Sequence, residues 1–170
     1  MNLFLDCEFT GLKTCPDIIS LGIVTEQGSK FYAEFTDYKN PTEWVIENVL
    51  PHLTNKNFMI FDDSDEIIYF ESDRYEIVNS LTIWLSQYST CTIIVDTGFL
   101  DWLLFLDLFN WQLPKHVFYM PIDIATIFYI KNINPDITRL DYLDMDAIKH
   151  NALIDADITR LCFNKLMNGE

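Results

Sequence analysis

The chain has 170 residues, of which 49% are apolar and 15% aromatic, so it can bury a sizeable core and does not belong to the disordered class. Eleven lysines and arginines against 26 acids give a net charge of −15, which argues against broad, tight binding to duplex DNA. No apolar run reaches membrane-spanning length, no basic segment precedes an apolar leader, and the four cysteines lack zinc or disulfide spacing. We therefore expect one intracellular, cytoplasmic domain over residues 1–170.

The first predicted strand ends in two acids. An apolar run at 3–5 is typical of a buried strand, and Asp6 and Glu8 follow it with one residue between them. Side chains alternate along a strand, so the two carboxylates share a face about 7 Å apart. Adjacent carboxylates are costly to desolvate, and a hard cation such as Mg²⁺ or Mn²⁺ removes that cost. The spacing alone is equally compatible with two acids that end a strand in solvent.

The next segments predict an antiparallel meander and a short helix. Strands are expected at 18–25 and 30–35, joined by a turn at Gln27-Gly28. Pro41 predicts the start of an amphipathic helix that ends before Pro51. Residues 62–76 carry seven acids, which indicates a solvated edge, with 67–70 as a possible short strand.

The second half of the chain alternates helical and strand patterns. We expect a helix at 75–85, a buried strand at 91–96, an apolar helix from 99, a short helix at 138–143 and a last helix at about 152–167. The segment 121–130 fits either a strand or a helix. A helix, a buried strand and a helix in succession predict a central sheet covered on both faces.

Two more acids lie where helices begin. Asp101 falls in the first turn of the helix after strand 91–96, and Asp96, at the end of that strand, is an alternative for the same role. Asp155 lies among apolar residues near the start of the last helix, where a partly buried acid needs a partner. Few basic residues are nearby, so a metal ion shared with Asp6 would fit. His150 directly precedes that helix, where a loop can hold an imidazole over the site.

Taken together, these segments resemble the DEDDh branch of the ribonuclease-H-like 3′–5′ exonucleases, which includes ribonuclease T and oligoribonuclease. The likeness rests on three motifs in order along nearly the whole chain: Asp6-x-Glu8-Phe9-Thr10-Gly11-Leu12, Phe99-Leu100-Asp101 and His150-x-Ala152-Leu153-x-Asp155-Ala156. The spread of the elements is most similar to a compact bacterial and phage exoribonuclease group. The second motif departs from the family pattern, because an aromatic residue usually precedes its acid and Leu100 stands there in this chain.

The resemblance implies an α/β fold with a ribonuclease-H-like mixed sheet of five strands, three antiparallel and then two parallel, flanked by helices. It implies two Mg²⁺ or Mn²⁺ ions held by Asp6, Glu8, Asp101 and Asp155, with His150 as the general base that takes a proton from the attacking water. Two such ions about 3.5–4 Å apart activate the nucleophile and neutralise the leaving oxygen. An imidazole titrates near neutral pH, so activity is expected to rise over about pH 6–8.

The implied reaction is hydrolysis of single-stranded nucleic acid from its 3′ end, RNA favoured over DNA, with release of nucleoside 5′-monophosphates. The sparse basic charge favours short oligonucleotides or 3′ overhangs as substrates. Phe9 and Leu12 are expected to contact the terminal bases, although both are equally compatible with the core, and the N–H of Thr10 is expected to reach the terminal hydroxyl. The alternatives are a non-catalytic nucleic-acid-binding or interaction module that kept the fold, and a proofreading exonuclease docked on a polymerase. The resemblance also allows a homodimer.

Overall fold

The computed structural model describes residues 1–53, 67–97, 99–147 and 150–168, and these ranges form a mixed sheet flanked by helices. The strands are β1 (Asn2–Phe9), β2 (Ile18–Thr25), β3 (Lys30–Phe35), β4 (Ile67–Ser72), β5 (Thr92–Val95) and β6 (Ile122–Asp123). The helices are α1 (Glu43–Asn48), α2 (Arg74–Leu85), α3 (Phe99–Leu108), α4 (Ile124–Ile130), α5 (Arg139–Leu143) and α6 (Ala152–Asn168), and a 3-10 turn spans Leu50–His52.

The sheet confirms the predicted α/β class and the predicted meander. Its strand order is β4-β3-β2-β1-β5-β6. The pairs β1–β2 and β2–β3 are antiparallel, whereas β3–β4, β1–β5 and β5–β6 are parallel. The sheet therefore has six strands in the described ranges rather than the expected five. The difference arises because 67–72, only a possible strand by its sequence, pairs with β3 along the whole length of that strand.

The alternation of side chains along β1 assigns its residues to two different cores. Leu3 and Leu5 face α2 and α3, in the larger core cluster. Phe4 faces the opposite side, where it packs with residues of α4 and α6. Asp6 and Glu8 share the face of Phe4, because strand residues two apart point to the same side. The first-strand acids therefore lie on the side of the sheet that α6 covers.

Helix α6 lies very close to the sheet at Gly22. A Cβ atom at Gly22 would lie 2.3 Å from the carbonyl oxygen of Ala152 and 2.5 Å from the Cα of Leu153, so only glycine permits this contact. Gly22 is the register partner of Asp6 in the β1–β2 ladder. The first turn of α6, which carries Asp155, is thus held against the strand position beside Asp6.

The acidic segment 62–76 is described only in part, because 62–66 lie outside the described residues. In the described part, Glu71, Asp73 and Glu76 are exposed, as expected for a solvated edge. Within the described ranges, no helix is both long and apolar enough to cross a lipid bilayer.

Candidate metal centre and active site

Three carboxylates meet where the end of β1 lies under the start of α6. Asp6, Glu8 and Asp155 each offer an oxygen atom, and these three atoms lie within 4.8 Å of one another. All three residues are partly buried. Alternation along β1 places the first two on one face, and the close contact at Gly22 brings the third to them. The structure thus brings together residues from opposite ends of the chain, and we call these three residues the acidic trio.

Asp101 lies beside the acidic trio and is held by the backbone of β1. It is in the first turn of α3, is only 9% exposed, and its Oδ1 accepts a hydrogen bond of 3.1 Å from the N–H of Cys7. The parallel pairing of β1 with β5 ends at Leu5, so the N–H of Cys7 has no partner on β5. The carboxylate of Asp101 accepts this N–H in place of a strand partner. Because Cys7 lies between Asp6 and Glu8 along β1, this bond holds Asp101 next to both acids.

Asp96, the alternative to Asp101, is engaged elsewhere. Nε of Arg139 donates to its Oδ2 at 2.7 Å, and Nη2 of Arg139 donates to its Oδ1 at 2.6 Å. This two-pronged ion pair ties the end of β5 to the start of α5 and gives the Asp96 carboxylate a basic partner. In the described ranges, by contrast, no basic side chain forms an ion pair with Asp6, Glu8 or Asp101.

His150 lies at the entrance of α6 and is tied to the acidic trio through its backbone. Its φ angle is +63°, in the left-handed region that is uncommon for residues other than glycine. The N–H groups of His150 and Asn151 donate to Oδ2 of Asp155 at 3.0 and 3.2 Å. Asn151 caps α6, since its side-chain oxygen accepts hydrogen bonds from the first N–H groups of the helix. Asp155 therefore positions the loop that carries the imidazole.

Trp44 is a site residue that the sequence analysis did not single out. Its ring meets the ring of His150 edge-on, with centroids 5.1 Å apart and planes at 84°, and the residue is 54% exposed. In the helical segment predicted to begin at Pro41, Val45 and Val49 are buried, whereas Trp44 lies at the surface. A signal existed, because Val45 and Val49 are four residues apart and share one face, while their neighbour Trp44 cannot lie on it.

The end of β1 and the loop after it carry the residues expected to contact substrate, and these residues differ in how far they are exposed to solvent. Leu12 is 84% exposed, so it is not part of the core, whereas Phe9 is partly buried and packs against the larger core cluster. Thr10 is fully buried, and its N–H donates to the carbonyl of Asp17 at 2.9 Å. This N–H is therefore already hydrogen-bonded within the loop, and its expected contact with a terminal hydroxyl stays a prediction. Gly11, at φ +121°, lets the loop pass close to Thr42.

The carboxyl groups of the site are held in an environment that disfavours their charged forms. Burial, followed by the charges of Asp155 and Asp101, raises the pKa of Glu8 to about 8. Burial is also the main cause that raises the pKa of Asp101 to about 7, against the hydrogen bond from Cys7. The pKa of Asp6 is raised well above its usual value by burial and then by the neighbouring acids, Asp101 first. Where these neighbouring carboxyl groups are ionised, their charges repel one another.

These properties fit a divalent cation. The donor atoms are carboxylate oxygens, which Mg²⁺ and Mn²⁺ prefer, and a cation would relieve the repulsion among their charges. A cavity of about 220 Å³ opens beside the site, with Asp6, Asp155 and His150 along one part of its wall and the Asp96–Arg139 pair along another. The cavity gives a ligand direct access to Asp6, Asp155 and His150.

The raised pKa values predict how the metal-free protein responds to pH. Because the folded pKa values of Glu8 and Asp101, about 8 and about 7, exceed those of the unfolded chain, the folded state binds more protons than the unfolded state between about pH 4 and 8. The free energy of unfolding therefore falls as the pH rises through this window. In a chain of this size, each loss of about 1 kcal/mol lowers Tm by about 2–4 °C.

Thermal unfolding with a chelator, and again with Mn²⁺, would check this prediction. Mn²⁺ should raise Tm more at pH 8 than at pH 5, because cation binding competes with protons for the same oxygens. The variants Glu8→Gln and Asp101→Asn should each flatten the pH dependence of the metal-free protein. A Tm that rises between pH 5 and 8 without metal would contradict the assignment of these carboxyl groups.

Comparisons with known proteins give little beyond this geometry. No protein-family model matches the sequence, and no curated protein is significantly similar to it. Among solved structures, the chain is similar to the Neurospora crassa Pan2 catalytic unit, described as a protease and nuclease domain, with 17% identity and a TM-score of 0.48. The match covers 99% of this chain and 28% of that one, so this chain spans little more than a quarter of that protein. A likeness of this size establishes neither the family nor the function.

Proposed function

We propose that the chain is a single-domain 3′–5′ exonuclease of the DEDDh type that hydrolyses single-stranded nucleic acid with the help of two divalent cations. The observation that carries this proposal is the acidic trio, which gathers Asp6, Glu8 and Asp155 from the two ends of the chain. The arrangement of Asp101 and His150 around the trio supports it. Metal-assisted hydrolysis of a phosphodiester bond uses this combination of clustered oxygen ligands and a nearby proton acceptor.

The four acids are proposed to divide between two Mg²⁺ or Mn²⁺ ions. The acidic trio would hold one ion, and Asp101 together with Asp6 would hold the other. Such ions, when bound, activate an attacking water and stabilise the charge on the leaving oxygen. Asp101 is preferred to Asp96 because Asp96 already accepts two hydrogen bonds from Arg139, whereas Asp101 is buried next to the other acids.

His150 is proposed as the general base. His150 lines the same cavity as Asp6 and Asp155, where a water molecule would attack a bound phosphate. The edge-on contact with Trp44 restricts the rotation of the imidazole. The hydrogen bond from the His150 N–H to Asp155 holds the backbone of His150 next to the acidic trio.

The surface around the site supports a substrate with exposed bases. Leu12 and Trp44 present apolar groups to solvent, 84% and 54% exposed, and the N-terminus of α1 is tied to the loop of Leu12 by the bond from Thr42 N–H to the Thr10 carbonyl. Stacking of a base on an aromatic ring contributes about 1–3 kcal/mol and tolerates any sequence. We propose single-stranded RNA ahead of DNA, in short oligonucleotides or 3′ overhangs, with nucleoside 5′-monophosphates as products.

Incubation with end-labelled oligonucleotides and Mn²⁺ would test the proposed function. An RNA of about 12 nucleotides is short enough to bind without a long basic groove. Labelled at its 5′ end, it should give a ladder of products that shorten from the 3′ end. Labelled at its 3′ end, it should release labelled mononucleotide at once. The same RNA with a blocked 3′ hydroxyl, and the same sequence as DNA, are the comparison substrates. Binding of Mn²⁺ and oligonucleotide without any shortening would contradict the proposal and favour the non-catalytic binding module.

A further inference from the structure

A buried hydroxyl lies on the strand next to the acidic trio without a hydrogen-bond partner. Ser20, in the middle of β2, is 0% exposed, and its Oγ has no hydrogen-bond partner among the described residues. An unpaired buried hydroxyl costs free energy, and most such groups in folded proteins are paired. We therefore asked which group the Ser20 hydroxyl would bind when the site is occupied.

The register of the sheet shows which acceptors the hydroxyl can reach. Ser20 is directly opposite Glu8 in the β1–β2 ladder and opposite Glu34 in the β2–β3 ladder. Residues directly opposite one another share a face, with Cβ atoms about 4.5–5.5 Å apart. Ser20 therefore lies between two carboxylates on the face that α6 covers.

The two carboxylates differ in their existing partners. Glu34 already accepts hydrogen bonds from the hydroxyls of Tyr32, at 2.9 Å, and Tyr69, at 3.3 Å. The carboxylate of Glu8 accepts no hydrogen bond from any described residue. Its pKa is raised by burial and by neighbouring charges, with no hydrogen bond to lower it. Glu8 is thus the acceptor that lacks a donor, and Ser20 is the donor that lacks an acceptor.

We propose that Ser20 is a positioning residue whose hydroxyl donates a hydrogen bond to the Glu8 carboxylate when Glu8 binds a divalent cation. Carboxylates that bind metals are usually held by such a second partner, which orients them. A carboxylate has two oxygens, so one can accept from Ser20 while the other serves as ligand. This proposal rests on the metal site of the proposed function and adds a residue that none of the three sequence motifs contains.

Replacement of the hydroxyl should separate this role from a merely structural one. Ser20→Ala should weaken Mn²⁺ binding by about 10-fold, the lower end of the range for residues that support metal ligands. The same change should leave Tm of the metal-free protein unchanged or raised, because it removes an unpaired buried polar group. Ser20→Thr keeps a hydroxyl on a strand and should restore the affinity, and Ser20→Cys, a weaker donor, should give an intermediate loss.

Titration calorimetry with Mn²⁺ on the full chain, with unfolding measured on the same samples, gives the required readouts. Ser29→Ala, at the far end of the same hairpin, is the matched control, since the hydrogen bonds of Ser29 are made by its backbone. If wild type binds Mn²⁺ and degrades RNA while Ser20→Ala keeps the wild-type dissociation constant, only the role of Ser20 is overturned. If wild type binds no Mn²⁺, the proposed function and this proposal both fall.

Discussion

Replacing Asp6 by asparagine should abolish cation binding and nuclease activity and, at the same time, make the metal-free protein more stable at neutral pH. Asp6 belongs to the acidic trio, and its carboxyl pKa is raised well above its usual value by burial and by the charges of Asp101, Asp155 and Glu8. Ionisation of this group at pH 7 therefore lowers the free energy of unfolding. Asparagine has the same size and is neutral, so it does not carry this cost. Sites built for function often carry such a loss of stability.

The size of the functional loss follows from the place of Asp6 among the ligands. Changes to residues that only support a ligand cost about 10–100-fold in metal affinity, so loss of a shared ligand should cost more than about 100-fold. Calorimetry with Mn²⁺ and unfolding with a chelator measure the two effects. Asp107→Asn removes the same charge from an exposed ion pair with Arg74 and should change neither. An Asp6→Asn protein that binds Mn²⁺ as wild type does would rule out the proposed centre.

Strands β2 and β3 could be predicted with correct bounds because each of them buries every residue. All positions of β2 and β3 are buried, and the turn between them has Gly28 at φ +96°, which glycine readily adopts. The segment 121–130 remained undecided because it contains both structures, β6 and then α4. The deciding signal was Asp123, whose side chain accepts a hydrogen bond from the N–H of Thr126 and caps the helix.

Local sequence patterns predicted some residues of the candidate site. The roles that depend on contacts between residues far apart in the chain could not be predicted. Alternation along a strand places Asp6 and Glu8 together, and an acid among apolar residues marks Asp155. No local rule links Asp96 to Arg139, which lies 43 residues further on, so the competition between Asp96 and Asp101 could not be settled from the sequence. The occupied N–H of Thr10 likewise depends on how its loop folds back.

Replacing His150 by asparagine should lower the turnover number by about 10²–10⁴-fold, the usual contribution of a general base, while the affinity for Mn²⁺ stays within a few-fold of wild type. The reason for this separation is that His150 contributes no atom to the acidic trio. Asparagine is the appropriate replacement because it tolerates the left-handed backbone, φ +63°, and keeps the N–H that donates to Asp155. The rise of wild-type activity over about pH 6–8 should become shallower in the variant.

The matched control is His116→Asn. The carbonyl of His116 accepts a hydrogen bond from the N–H of Cys91, which precedes β5 at the opposite end of that strand from Asp96, and the substitution keeps this backbone bond. Single-turnover assays with saturating Mn²⁺ isolate the chemical step from cation binding. A His150→Asn protein that cleaves as fast as wild type and keeps the same pH profile would remove His150 from the reaction. Because cation binding is measured separately, that result would leave the acidic trio in place and require another proton acceptor at the cavity.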